Sequence, residues 1–194
     1  MSETSTRDKV IFEAMKLFAS GTYGSVSMRD IANAAGIRES SLYYHFKNKQ
    51  DIFDSVLEFG EKRCTQMFEN LSNSAANAGA SISEERLIML AITVMNFFMA
   101  DEQSKLFRRM LIIGQYSDDR LKHCFRSIYI NQPIGFFREI FSAKGAENIA
   151  PEELAREFYS PLYLLICSAD SIAETLPEIK KHILTFVNLY MKGK

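Results

Sequence analysis

Apolar residues recur at three- and four-residue intervals along almost the whole chain, and strand-like alternation is scarce. Val10, Ile11, Ala14, Leu17 and Phe18 form one stripe, with Arg7, Glu13 and Lys16 outside it. This predicts an amphipathic helix of about four turns, closed at Ser20-Gly21. Ser27, with Asp30 three places on and Ile31, Ala34 and Ala35 beyond, predicts a second helix that starts on a hydroxyl cap and stops at Gly36. Arg38 to Phe46 predicts a third, short helix. Asn48-Lys-Gln-Asp51 opens a long fourth helix to about Leu71, through Ile52, Phe53, Val56, Leu57, Cys64, Met67 and Phe68. The Ser/Asn/Ala/Gly run 72–81 is read as a loop. Further helices are expected over 83–100, 102–114, 118–143, 151–169 and 176–192. Pro151 suits a first helical position, whereas Pro133 and Pro161 lie inside helical patterns and should kink or break them. The fold class is all-α, with about nine helices.

A chain of 194 residues, 47% hydrophobic, has enough apolar surface for a real core. The formal net charge of −1 gives no sign of a nucleic-acid partner. Locally the balance shifts: residues 1–50 hold seven Lys/Arg against five Asp/Glu. Cys64, Cys124 and Cys167 are far apart and belong to no CxxC or Cys/His cluster, so neither a metal site nor a disulfide framework is expected, and the reading is a reduced, cytoplasmic protein. The polar N-terminus is not a signal peptide, and no apolar stretch is long enough to span a bilayer, so no membrane partner is expected. An enzyme using His45 or His123 with a nearby acid lacks any paired-carboxylate, metal or nucleophile constellation, and no cofactor is implied.

The second and third helices, joined at Ala35-Gly36-Ile37, make a helix-turn-helix, with glycine where the chain turns sharply. Ile37, Leu42 and Phe46 are spaced to pack against Phe18, Ile31 and Ala35, which leaves Arg38, Glu39, Ser40, Ser41, Tyr43, Tyr44 and His45 facing outward. Two exposed tyrosines, a histidine and Lys47 and Lys49 beside them are donors that DNA phosphates accept from. A recognition helix enters the major groove N-terminal end first, which puts Arg38 to Ser41 nearest base edges. A plain helical hairpin within a larger bundle is the alternative that spacing alone leaves open.

Leu17-Phe18, Tyr23, "SMRDIANAAGI" and "SLYYHFKNKQDIF" together resemble the DNA-binding domain of TetR-family bacterial transcription regulators, over about residues 8–57. The resemblance implies a helix-turn-helix domain over 1–47, linked by the helix 48–71 to a ligand-binding and dimerisation domain over 48–194. It implies that Ser27 caps the second helix and touches phosphate, and that Arg29 reaches a base or a phosphate. Glu39, Ser40 and Tyr43 match base-contacting positions, and Ser41, Tyr44, His45 and Lys49 match phosphate-contacting ones. Two positions depart from the pattern. Arg38 stands where Ser or Thr is usual, which weakens the cap of the third helix or makes Arg38 a DNA contact. Thr22 stands where glycine usually precedes the aromatic, with Gly21 one place earlier. The partner implied is double-stranded DNA with a near-palindromic operator, bound by a homodimer.

Residues 83–145 are rich in Phe, Met and Tyr. Most of these belong to a core, yet Met and Phe on facing helices also line adaptable pockets. Leu121, Phe125, Ile128, Gln132 and Phe136 share one stripe, with Tyr129 beside it, and the Gln132 amide on that apolar face needs a partner. The candidate ligand set is Met67, Met95, Phe98, Phe107, Met110, Phe125, Tyr129, Gln132 and Phe136. No acid or base repeats along the stripe, so the expected effector is small and largely apolar. The last two helices are apolar on more than one face, which suggests a dimer through Leu162, Ile166, Ile183, Phe186 and Tyr190. The function expected is a homodimeric repressor released from its operator by the effector. The alternative is a DNA-binding regulator without a small-molecule ligand, whose second domain only dimerises or binds a protein.

Overall fold

The computed structural model describes residues 5–77, 83–142, 149–169 and 171–191. The helices are α1 (Thr6–Ser20), α2 (Met28–Ala35), α3 (Glu39–His45), α4 (Lys49–Asn77), α5 (Glu84–Met99), α6 (Glu102–Gly114), α7 (Asp119–Arg126), α8 (Gln132–Ser142), α9 (Pro151–Ser168) and α10 (Ile172–Tyr190). A single π turn, Ser127–Asn131, joins α7 to α8, so the expected helix over 118–143 is one continuous run from Asp119 to Ser142. No strand occurs among the described residues, and none of their helices is long and apolar enough to cross a membrane.

Caps explain where the structure departs from the expected boundaries. The Ser171 hydroxyl accepts from the Glu174 N–H, so α10 begins at Ile172, before the expected 176, and Pro177 falls inside it. α4 runs to Asn77, past the expected end near Leu71, so the predicted loop is helical at its start. Residues 78–81 of that loop lie outside the described residues. Pro161 does not break α9, which continues through it to Ser168.

The chain divides into two compact units, Met1–Cys64 with Gln103–Phe125, and Thr65–Glu102 with Arg126–Lys194. The expected boundary at 47/48 separates functional domains, whereas these units are set by packing. The division falls inside α4, and most of α6 together with α7 up to Phe125 belongs to the first unit. α6 is tied there by Gly60 and Phe107: a Cβ on Gly60 would lie 2.4 Å from the Phe107 ring, so only glycine lets that ring lie on α4.

In the second unit α8 packs on α9, and α10 packs on α5 and α9. The core is aromatic: Phe137 lies 4.6 Å from Phe158 between ring centres, and Phe158 lies 5.0 Å from Phe186. The π turn lies just before Pro133, which has no N–H to donate to the Tyr129 carbonyl four residues back. The buried Tyr159 hydroxyl, from α9, donates to that carbonyl at 2.9 Å. On α9 the Phe158 carbonyl, three residues before Pro161, accepts from His182 Nε2 at 2.8 Å, which requires the proton on Nε2.

Candidate nucleic-acid interface

The helix-turn-helix is built as its sequence indicates. Ser27 and Asp30 form a reciprocal capping box: the Asp30 N–H donates to the Ser27 hydroxyl at 3.2 Å, and the Ser27 N–H donates to the Asp30 carboxylate at 2.9 Å. The bonds from Ser27 hold the Asp30 carboxyl below its ordinary range. Gly36 adopts φ +67°, and the Ile37 N–H bonds back to the Ala32 carbonyl at 3.0 Å, which closes α2 and starts the turn. Leu42 and Phe46 are buried with Ile31, Ala35 and Phe18, while Ile37 is half-buried.

That anchoring turns the rest of α3 outward. Ser27, Arg29, Arg38, Glu39, Ser40 and Ser41 are exposed, as are Tyr43 at 53% and Tyr44 at 87%. His45 is half-buried with its ring against Tyr44. Arg38 is the N-cap residue of α3 and makes no side-chain cap bond, so its guanidinium is not spent on the helix end. Ser27 is different: its hydroxyl proton goes to Asp30 at 2.6 Å, so it offers a phosphate no spare donor while that bond holds.

Lys49, expected at a phosphate, has partners within the chain. Its ammonium donates to the Tyr23 carbonyl at 2.9 Å and the Val26 carbonyl at 2.8 Å, and lies 4.2 Å from the Tyr23 ring centre. It pins the α1–α2 connection instead of projecting freely toward a phosphate. Sequence spacing placed Lys49 beside α3 but could not show that two carbonyls of a preceding turn would claim it.

The candidate ligand residues divide between the two units. Phe107, Met110 and Phe125 belong to the first unit, and Met67, Met95, Phe98, Tyr129, Gln132 and Phe136 to the second. Met95, Phe98 and Tyr129 are fully buried core, with the Tyr129 ring 4.8 Å from Phe98. Phe107 covers Gly60 beside a crevice too small for water. Phe125 is buried, and Met67 is half-buried and lines neither cavity described below. A shared stripe does not show whether large side chains surround a hollow or fill it.

Gln132 and Phe136 do line an open groove of about 530 Å³ in the second unit, with Thr65, Phe68, Glu69 and Glu139. Gln132 Nε2 donates to Thr65 Oγ1 at 3.2 Å, and its buried Oε1 has no hydrogen-bond partner among the described residues. The expectation is that no acid or base repeats along the stripe; the groove adds two glutamates to its lining. Glu139 follows Gln132 by two helical turns and was legible as a same-face residue, whereas Glu69 comes from α4 and was not. Met110 lines a separate cavity of about 400 Å³ in the first unit, with Phe18, Tyr23, Phe53 and Leu121 among its walls.

The candidate dimer residues are also placed differently. Leu162, Ile166, Ile183 and Phe186 are buried within their own chain, and the half-buried Tyr190 lies tilted against Phe186 with ring centres 5.0 Å apart. The apolar side chains that α9 and α10 expose are Leu164 (65%), Leu184 (42%) and Leu189 (68%). The buried and exposed faces of these helices carry the same residue types, so composition could not separate them. Among the described residues no group of His, Cys, Asp or Glu is arranged to hold a metal ion.

Residues 11–56 match the family described as bacterial regulatory proteins, tetR family. Over 106 residues the chain is 29% identical to the HTH-type transcriptional regulator AcrR of Shigella flexneri, covering 55% of this chain and 47% of that one. Over 52 residues it is 40% identical to the biofilm operon icaADBC HTH-type negative transcriptional regulator IcaR of Staphylococcus aureus, covering 27% and 28%. The matched stretches thus span less than half the length of these relatives. A solved structure of a proposed TetR-family transcriptional regulator from Mesorhizobium loti superposes with a TM-score of 0.70 at 20% identity, covering 98% of this chain and 99% of that one.

Proposed function

We propose that the chain, whose residues 11–56 match the family of bacterial regulatory proteins, tetR family, is a sequence-specific DNA-binding regulator, acting as a homodimeric repressor. The observation that carries this reading is the outer face of α3. Arg38, Glu39, Ser40, Ser41 and Tyr43 are exposed, and among the described residues none of their side chains has a hydrogen-bond or ion-pair partner. Glu39, Ser40 and Tyr43 read base edges in the major groove, where a carboxylate accepts from cytosine N4. Arg29, Ser41, Tyr44 and His45 meet phosphates and fix the register. Lys49 acts indirectly, by holding the turn that leads into α2. Symmetry supplies the second recognition helix: Leu164, Leu184 and Leu189 form the apolar face that a second copy covers, and two half-sites lie about one or more helical turns apart.

An effector with a largely apolar body occupies the groove beside Gln132. Phe68 and Phe136 hold the body, and a donor on the ligand meets Gln132 Oε1. Release of DNA requires the effector to bind the released form better, typically by about 1–3 kcal/mol. The regulator without an effector is favoured by one observation, the solid packing of Met95, Phe98 and Tyr129.

Selection from random duplexes tests the reading. The expected result is a near-palindromic consensus, bound with an affinity that falls with salt. Glu39→Ala should change base preference by about 1–3 kcal/mol at one position of each half-site. Arg29→Ala should lower the log–log salt slope by about 0.9 for each phosphate that Arg29 neutralises. Failure to enrich any sequence would remove the proposed function.

A further inference from the structure

The first unit contains a cavity that the reading above does not use. It lies where the α1–α2 connection meets the start of α4 and the α6–α7 corner. Its volume, about 400 Å³, lies within the range of small-molecule sites. One wall is aromatic: Phe53 stands edge-on to Phe18 at 5.1 Å and to Tyr23 at 4.9 Å. The α6–α7 part of the lining is apolar, from Met110, Ile113 and Leu121. A lining of clustered rings and apolar side chains suits a flat aromatic molecule.

The charges of the lining select further. Among the described residues Asp118 and Arg120 are the only charged ones that line the cavity; they pair with each other at 2.8 Å, and Arg120 also reaches Asp54, outside the lining, at 3.2 Å. The wall is therefore neutral overall, and an ionic ligand would enter it without a counter-charge or would have to break that pair. Gln50, Thr22 and Ser117 add amide and hydroxyl groups to the lining, suited to a hydroxyl or carbonyl on the ligand.

Tyr23 connects this cavity to the DNA-binding face. Its ring lines the cavity and supports the Lys49 ammonium, which holds the Tyr23 and Val26 carbonyls. The residue after Val26 is Ser27, the cap of α2. A molecule that displaces the Tyr23 ring therefore disturbs the Lys49 clamp and the start of the helix-turn-helix.

We propose that this cavity binds a neutral, planar aromatic compound bearing a hydroxyl or carbonyl group, and that its occupancy alters DNA affinity through Tyr23 and Lys49. The second half of the proposal rests on the DNA-binding reading; the first does not.

The test begins without DNA, by titrating the intact protein with 2-naphthol, 2-naphthoate and 2-naphthylmethylammonium. The chain has no tryptophan, so naphthyl fluorescence is read without indole interference. One equivalent of 2-naphthol should bind saturably, about ten-fold more tightly than either ion, because the ions lose hydration without gaining a partner. Ile113→Phe and Ser117→Phe, at exposed positions of the lining, should each weaken binding by about ten-fold or more as the added ring fills the space. Methyl NMR of Ile113 and Leu121 in the unaltered protein gives a reading independent of those variants, and both signals should shift on saturation. Absence of saturable binding, equal binding of the charged probes, or unshifted methyls would overturn the site. With a selected duplex, saturating 2-naphthol should change DNA affinity about five-fold or more, and Lys49→Met should reduce that change. An unchanged DNA affinity in the 2-naphthol-saturated protein would overturn the coupling alone. A protein that selects no duplex defeats the DNA-binding reading, and the coupling with it, but leaves the naphthol result standing.

Discussion

α3 and α8 carry the same kinds of residue and use them in opposite ways. α3 turns Tyr43 and Tyr44 outward, whereas α8 turns Phe136 and Phe137 inward. α3 is seven residues long and is held by Leu42 and by Phe46 just after it, so most of its circumference has no neighbour. α8 lies along α9 and is backed by Phe158, so its rings fill space. An aromatic pair on a short, singly anchored helix is thus a signal of binding. The same pair on a helix with packed neighbours is a core until a cavity is seen beside it.

The largest expected break in that comparison is Phe158→Ala. The ring is fully buried against Phe137, Phe141 and Phe186, so its removal should cost about 3–5 kcal/mol in urea unfolding. A cost under about 1 kcal/mol would mean that the second unit's aromatic core is not close-packed.

Tyr159→Phe keeps the ring and removes the hydroxyl that donates to the Tyr129 carbonyl, four residues before Pro133, which has no N–H to give it. Loss of this buried hydrogen bond should cost about 0.5–1.5 kcal/mol. Pro133→Ala should lessen that cost by restoring a donor within the helix, a coupling that a double-mutant cycle measures.

Gly60→Ala should destabilise by about 1–3 kcal/mol through overlap with the Phe107 ring, less the roughly 1 kcal/mol that alanine adds to helix propensity. A more stable variant would show that Phe107 can move away. Gly60 is then a packing position, and its effect on any ligand response should follow from displacement of α6.

The smallest stability effect is expected on α3. Tyr44→Ala should leave the melting transition within about 0.5 kcal/mol, because the side chain is 87% exposed. It should still weaken binding to the selected duplex. A clear drop in stability would show that Tyr44 packs on its own chain and would remove it from the DNA-facing set.

The all-α class, the helix-turn-helix and the outward face of α3 were legible in the sequence. So were the Ser27–Asp30 box and the left-handed Gly36, because each depends on residues within about four positions of one another. The same local logic failed where a side chain's partner came from elsewhere in the chain. Lys49 was claimed by the Tyr23 and Val26 carbonyls, and the Tyr129 carbonyl was met by Tyr159. Leu162 and Ile166 were buried, while Leu164 was left in solvent. Helical periodicity says which residues share a face, and the sequence by itself determined that much. Which face is covered, by what, and whether a cavity remains depends on the volumes and directions of several helices at once, and only the tertiary structure decided it.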